Sequence, residues 1–263
     1  MIHPSGLHLI AQRATAPDAP TVIFVHGSLD RAESFRRVMR RLPDVDIVAY
    51  DRRGYQRSRA AGVVDVDGHI ADLVELATEL GSRSRGEVFA IGHSLGGVVV
   101  VGAALSEPRI FDAIGAFEPP MPWLGFRPVP PGDAKPREWA PLAEDPGEEA
   151  ERFFCRMMSP TAWQRLTDEG RADRRADGPA LVADLRSMRG GKPFEVTDLS
   201  VPAVFGMGGP HSQPHHRQSV VWLGAHVPGA IDYEIEGAQH GAHLSHPDHF
   251  VTFTRAVMER PAR

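Results

Sequence analysis

The chain has 263 residues, 42% of them apolar and 24% charged, with a net charge of −5. That length supports one substantial core burying roughly three quarters of the unfolded surface, and the acidic balance excludes the charge pattern of a nucleic-acid or anionic-membrane binder. The single cysteine, Cys155, excludes an internal disulfide and suits a reducing compartment. Residues 1–13 lack a basic and apolar leader, and no apolar run has the length of a membrane span, so a cytoplasmic protein is expected.

Ile2-His3 and Leu7 to Gln12 flank Pro4-Ser5-Gly6 and predict a short hairpin. The apolar, β-branched run from Thr21 to Val25 predicts a strand buried on both faces, as in a parallel sheet, stopping at His26-Gly27. Residues 31–42 read as an amphipathic helix ended by Pro43, with Arg36, Arg37, Arg40 and Arg41 on its solvated face. A strand over 45–50 ends in Asp51-Arg52-Arg53-Gly54, and a helix over 66–80 is closed by Gly81. A strand and helix over 88–101 and a strand over 113–117 follow.

The alternation then breaks at Pro119, Pro120, Pro122, Pro128, Pro130, Pro131, Pro136 and Pro141, none of which suits a strand or helix interior. Helical stretches are expected near 148–158, 161–167 and 179–188, before a strand at 201–205, a helix at 215–224, a strand at 231–235 and a helix at 247–259. Strands alternating with helices predict a mostly parallel α/β sheet with right-handed crossovers. Residues 1–120 and 198–263 form its core domain in this reading. Residues 121–197 are a helical cap inserted at the carboxyl edge of the sheet, read as a lid over the site.

The run Gly92-His93-Ser94-Leu95-Gly96-Gly97 puts a serine between glycines, directly after an apolar strand and before an apolar helix. A Gly-x-Ser-x-Gly elbow needs that context, because the serine sits on a sharp, strained turn that lifts its hydroxyl to the sheet edge. The first amides of the new helix favour a developing oxyanion at the same spot. A serine hydroxyl is a poor nucleophile until a base takes its proton, and thirteen histidines compete for that role. His93 is a shoulder of the elbow. His240, between the last strand and the last helix, is the best placed, with His243 its main rival. His240, His243, His246 and His249 recur at intervals of three, and His211, His215 and His216 add to the count. Pro247 breaks any shared helical face, and only Asp248 lies nearby as a carboxylate, so no metal site is expected. His246 and His249 read as capping or surface residues and His243 as a pocket neighbour.

His26-Gly27-Ser28, Asp51-Arg52-Arg53-Gly54, the elbow, and Gly237-Ala238-Gln239-His240 together resemble the motifs of the α/β-hydrolase superfamily across essentially the whole chain. The small capped esterases are the nearer likeness, rather than the large secreted lipases. The resemblance implies Ser94 as nucleophile, the amides of Ser28 and Leu95 as oxyanion hole, His240 as base and no cofactor. It also implies an aspartate a few residues past the 201–205 strand, and here the chain departs from the pattern, since residues 206–214 contain no carboxylate. Glu118, at the end of the strand after the elbow helix, is expected to be the triad acid instead, the position used by haloalkane dehalogenases. The alternative is a serine–histidine dyad without an acid, with Glu118 then capping the turn or pairing with Arg53 or Arg127. Asp51 reads as part of a structural turn.

An apolar pocket is expected to include Met121, Trp123, Phe153 and Met157 with His93 and His243. Leu124, Phe126, Phe154 and Met158 are of the same kind, and all the cap residues equally suit the cap's own small core. Cys155 reads as inert core. The expected activity is hydrolysis of a small, fairly apolar carboxylic ester through an acyl-enzyme on Ser94, with that small-molecule ester as partner rather than nucleic acid or membrane and the oligomeric state left open. Other triad chemistry (perhydrolase-type haloperoxidase, carbon–carbon hydrolase or lyase) and a non-catalytic ligand-binding protein of this fold are the alternatives. Epoxide hydrolases and dehalogenases of the fold use an aspartate nucleophile, so Ser94 counts against both.

Overall fold

The computed structural model describes residues 2–3, 5–129, 133, 135 and 138–260; Pro130, Pro131 and Pro136 lie outside that set. Seven strands form one sheet: β1 (Leu9–Gln12), β2 (Thr21–Val25), β3 (Asp46–Tyr50), β4 (Val88–His93), β5 (Ala113–Phe117), β6 (Ala203–Gly208) and β7 (Ile231–Ile235). They lie in the order β1-β3-β2-β4-β5-β6-β7. Only β1 is antiparallel to its neighbour. The N-terminal hairpin takes the form of an Ile2–His8 bridge with Gly6 at φ +84°. Strands β2, β4, β5 and β6 are buried along their whole length, as parallel strands covered on both faces must be.

Among the described residues, ten α-helices connect and cover the strands: α1 (Arg36–Met39), α2 (Val66–Arg83), α3 (Leu95–Ser106), α4 (Pro146–Met157), α5 (Pro160–Gln164), α6 (Asp168–Ala176), α7 (Gly178–Arg189), α8 (Pro214–His226), α9 (Ala242–Ser245) and α10 (Pro247–Met258). Leu73, Leu76, Val99, Val100, Val220 and Leu223 from α2, α3 and α8 belong to one buried cluster. Val38, Met39, Phe250, Phe253 and Val257 from α1 and α10 belong to the other. No helix among the described residues is long and apolar enough to cross a membrane.

Several elements differ from the sequence reading, among them the single turn of α9, which it did not expect. The helix expected over 31–42 is a 3-10 turn, Ala32–Phe35, followed by the single turn of α1. The Asp51 carboxylate pins it by accepting the Ala32 amide at 2.8 Å. Helix α2 passes through Gly81 to Arg83, since Gly81 does not take the positive φ of a C-terminal glycine cap. Helix α6 was not expected, since its sequence buries no residue and so carries no apolar period. The Thr167 hydroxyl caps it by accepting the Gly170 amide.

The four helices α4 to α7 lie between β5 and β6 and are tied to the sheet by a buried polar cluster. Arg52, which follows β3, is fully buried and pairs with Asp184 of α7 through two hydrogen bonds, of 3.1 and 2.8 Å. The same carboxylate accepts from the Tyr55 hydroxyl at 2.6 Å and the Ser28 hydroxyl at 2.7 Å, and His69 Nε2 lies 3.3 Å away. Burial alone would raise the Asp184 carboxyl, but the Arg52 charge and the surrounding donors hold it far below the usual carboxylate range. A second carboxylate, Asp177, accepts from the Gln56 amide at 2.9 Å and from Arg59 at 2.7 Å.

Asp184→Ala strands a buried guanidinium, so it should cost about 3–5 kcal/mol in urea denaturation, whereas replacing both Arg52 and Asp184 by apolar residues should recover much of that loss. Because the Asp184 carboxyl is depressed, its stabilisation is complete above about pH 4, the unfolded carboxylate value, and disappears on acidification below it. Denaturation midpoints of wild type and Asp184→Asn should therefore converge as the pH falls.

Candidate active site

Ser94 ends β4 and begins α3 with φ +54° and ψ −126°, a region that costs a residue with a Cβ about 1–3 kcal/mol. Space explains the glycines around it. A Cβ on Gly92 would lie 2.1 Å from the Gly96 carbonyl oxygen, and one on Gly96 would lie 2.1 Å from that of Val25. The loop after β2 is equally close, with the Cβ position of Gly27 only 2.8 Å from Ser94 Cβ. Leu95, next to Ser94, opens α3, and Ser28 follows Gly27 in that loop with its hydroxyl on Asp184.

Parallel register places His93 opposite Phe117, and the Phe117 carbonyl accepts the Ser94 amide at 2.9 Å. The next residue along β5 is Glu118, which turns away at φ +46° while its amide donates to the Gly206 carbonyl at 2.8 Å. Its carboxylate is fully buried and lies 2.7 Å from His240 Nδ1 through Oε2. Oε1 accepts from the Gly208 amide at 2.8 Å and the Ser212 hydroxyl at 2.5 Å. The carboxylate-free segment after β6 thus supplies donors to the acid of the neighbouring strand. Burial would raise the Glu118 carboxyl, but the hydrogen bond and charge of His240, with the Ser212 and Gly208 donors, hold it below its ordinary value. The ionised carboxylate fixes the proton of His240 on Nδ1 and leaves Nε2 as the acceptor. Arg53 is engaged elsewhere, with Asp72.

Two histidines pack against His240. His216 stacks on it at 4.4 Å between ring centroids, and His93 Nε2 donates to the His240 carbonyl at 2.8 Å. Burial pushes both His216 and His93 well below the usual imidazole range, and the neighbouring histidines add to the shift, so neither competes with His240 for a proton. His26 is likewise held neutral, down to about 3, by burial and then by Arg52. Its Nε2 accepts the Arg52 amide at 2.8 Å, and its carbonyl accepts Arg52 Nε at 3.0 Å. His243 is buried beside Phe35 and faces Asp30, with Nε2 3.4 Å from the carboxylate. His246 precedes α10 as its capping residue, bonded to the Ser245 hydroxyl.

The predicted apolar residues divide. Trp123 packs with Leu95, Val98 and Phe194, and Phe153 packs with Leu29, Ala150 and Leu181, so both reach segments next to Ser94. Met121 is 1% exposed and belongs to the main core. Met157 is 39% exposed and Met158 65% exposed, because α4 ends there. Cys155 is half-buried rather than a core residue. Asp184, Ser212, Gly208 and Asp30 were not singled out from the sequence. Asp184 alone carried a signal, a carboxylate beside the apolar run Ala180-Leu181-Val182.

The sequence matches the alpha/beta hydrolase family over residues 22–252. It is 32% identical to epoxide hydrolase A of Mycobacterium tuberculosis over 139 residues, a match that spans 51% of this chain and 42% of that protein. It is 26% identical over 260 residues to a pimeloyl-(acyl-carrier protein) methyl ester esterase of Cronobacter sakazakii, spanning 92% of this chain and 93% of the relative. An alpha/beta hydrolase from Sphaerobacter thermophilus shares the fold, with a TM-score of 0.70 at 20% identity over 98% of this chain and 99% of that one. With its mostly parallel sheet and central strand–elbow–helix, the chain belongs to the alpha/beta hydrolase family.

Proposed function

We propose that this enzyme cleaves a small, fairly apolar carboxylic ester through an acyl-enzyme on Ser94, with His240 as base and Glu118 as the acid that orients it. The observation that carries this reading is the 2.7 Å contact between the Glu118 carboxylate and His240 Nδ1, with Glu118 itself held by Gly208 and Ser212. His240 Nε2 takes the Ser94 hydroxyl proton while the oxygen bonds to the ester carbonyl carbon. The carbonyl oxygen becomes an oxyanion held by the Ser28 and Leu95 amides. Collapse breaks the bond to the alcohol oxygen, which leaves with the proton from His240. Water then gives a proton to His240, attacks the acyl carbon and returns Ser94 as the carboxylic acid departs. Glu118 stays ionised and stabilises the imidazolium formed twice along this path.

The Trp123 and Phe153 clusters, on either side of the elbow segments, support an apolar substrate. The segment 121–197 acts as its lid, and the chemistry needs no cofactor and no partner beyond the ester in a cytoplasmic setting. The similarity to a methyl ester esterase over nearly the whole chain supports ester cleavage. The epoxide hydrolase similarity covers half of the chain, and the elbow residue here is a serine.

A fluorophosphonate probe should label the wild type and leave Ser94→Ala and His240→Ala unlabelled. Glu118→Gln should slow labelling by about 10²- to 10⁴-fold. A folded but unlabelled wild type would overturn the proposal in favour of ligand binding.

A further inference from the structure

Beside the His240 loop a second set of ligand-type side chains meets, which ester hydrolysis does not use. We propose that Asp30, His93 and His243 form a binding site for one divalent transition-metal ion of the zinc class. One donor atom from each lies within 4.8 Å of the others. His243 Nε2 is 3.4 Å from Asp30 Oδ2, and His93 Nδ1 is 4.0 Å from it. Ligand bonds of about 2.0–2.2 Å to a tetrahedral ion set neighbouring donors roughly 3.4 Å apart. One edge of the triangle therefore already has the required length, and another needs to close by roughly half an ångström.

The hydrogen-bonding pattern points the same way. His93 is 6% and His243 1% exposed, yet His93 Nδ1 has no hydrogen-bond partner and His243 Nε2 has only its 3.4 Å approach to Asp30. A buried polar atom without a partner is costly, and an ion would supply one. His93 donates through Nε2 to the His240 carbonyl and turns Nδ1 towards the Asp30 carboxylate, 4.0 Å away. A ring nitrogen that donates to a backbone carbonyl while the other binds metal is the usual outer arrangement of a ligating histidine. The Ser34 hydroxyl lies 3.1 Å from the same Asp30 oxygen, with the Arg31 carbonyl its nearer acceptor at 2.8 Å. Two imidazoles and one carboxylate suit zinc, cobalt or nickel, with a fourth position for water. Because His93 also holds the His240 carbonyl, the bound ion would brace the catalytic loop rather than enter the reaction.

The competing group is Glu118, His216 and His240, where an ion would have to displace the Glu118–His240 hydrogen bond. Tag-free protein, dialysed against zinc and separately loaded with cobalt(II), distinguishes the two. Elemental analysis should find one zinc per chain, cobalt should give the intense visible bands of a tetrahedral site, and zinc should raise the melting temperature. Asp30→Asn and His243→Gln, which keep the side-chain shapes, should weaken zinc by more than about 100-fold, beyond the 10–100-fold typical of outer partners, and erase the cobalt bands. His216→Ala should retain both, with circular dichroism verifying the fold of every variant. A wild type without stoichiometric zinc, binding that survives Asp30→Asn and His243→Gln, or binding abolished by His216→Ala would each overturn the proposal.

Discussion

The buried pairing of Arg52 with Asp184 is the constraint on which the arrangement around Ser94 depends. Both side chains are out of water, and removing two charges from water costs several kcal/mol each unless nearly every hydrogen-bonding position is filled. Here it is filled from four directions: Arg52, Tyr55 and Ser28 donate to one carboxylate, and His69 lies beside it. Arg52 in turn holds both the ring and the carbonyl of His26. A carboxylate from α7 thereby fixes the position of the inserted helices and, through Ser28, the loop that abuts Ser94. Such a cluster contributes more to a unique arrangement than to net stability, since partial satisfaction is worse than an apolar filling.

The second constraint is strain held in place by the sheet. Ser94 and Glu118 both sit at positive φ, and each is secured by a main-chain bond across to the next strand, Ser94 to Phe117 and Glu118 to Gly206. Those bonds exist because β4, β5 and β6 are parallel and in register, so their carboxyl ends meet along one edge. Ser94, Glu118 and the Gly208 and Ser212 donors that hold Glu118 come from three adjacent strand ends, and His240 arrives from the loop after β7. The segment after β6 becomes the hydrogen-bonding frame of Glu118.

Burial also sorts the histidines. His26, His93 and His216 are enclosed and held neutral, so the imidazoles crowded around His240 act as packing surfaces and fixed donors. His240 keeps part of its ring exposed and has a carboxylate on Nδ1. The neighbours of His240 are thus placed where gaining a proton is penalised.

The sequence alone determined the α/β architecture and the elbow, because both are local: β-branched runs alternate with helical periods, and a serine between glycines admits few turns. It also pointed to Glu118, through the absence of a carboxylate in 206–214. It missed α6, whose surface carries no apolar period, and it ran the 31–42 segment into one helix where a bond from Asp51 imposes a tighter turn. Tertiary structure decided everything that joins distant segments: Asp184 to Ser28 across 156 residues, Ser212 to Glu118 across 94, and His240 to Glu118 across 122. Such contacts have no periodicity and no fixed spacing along the chain. They follow from strand order and register, which place residues side by side only after the sheet has formed.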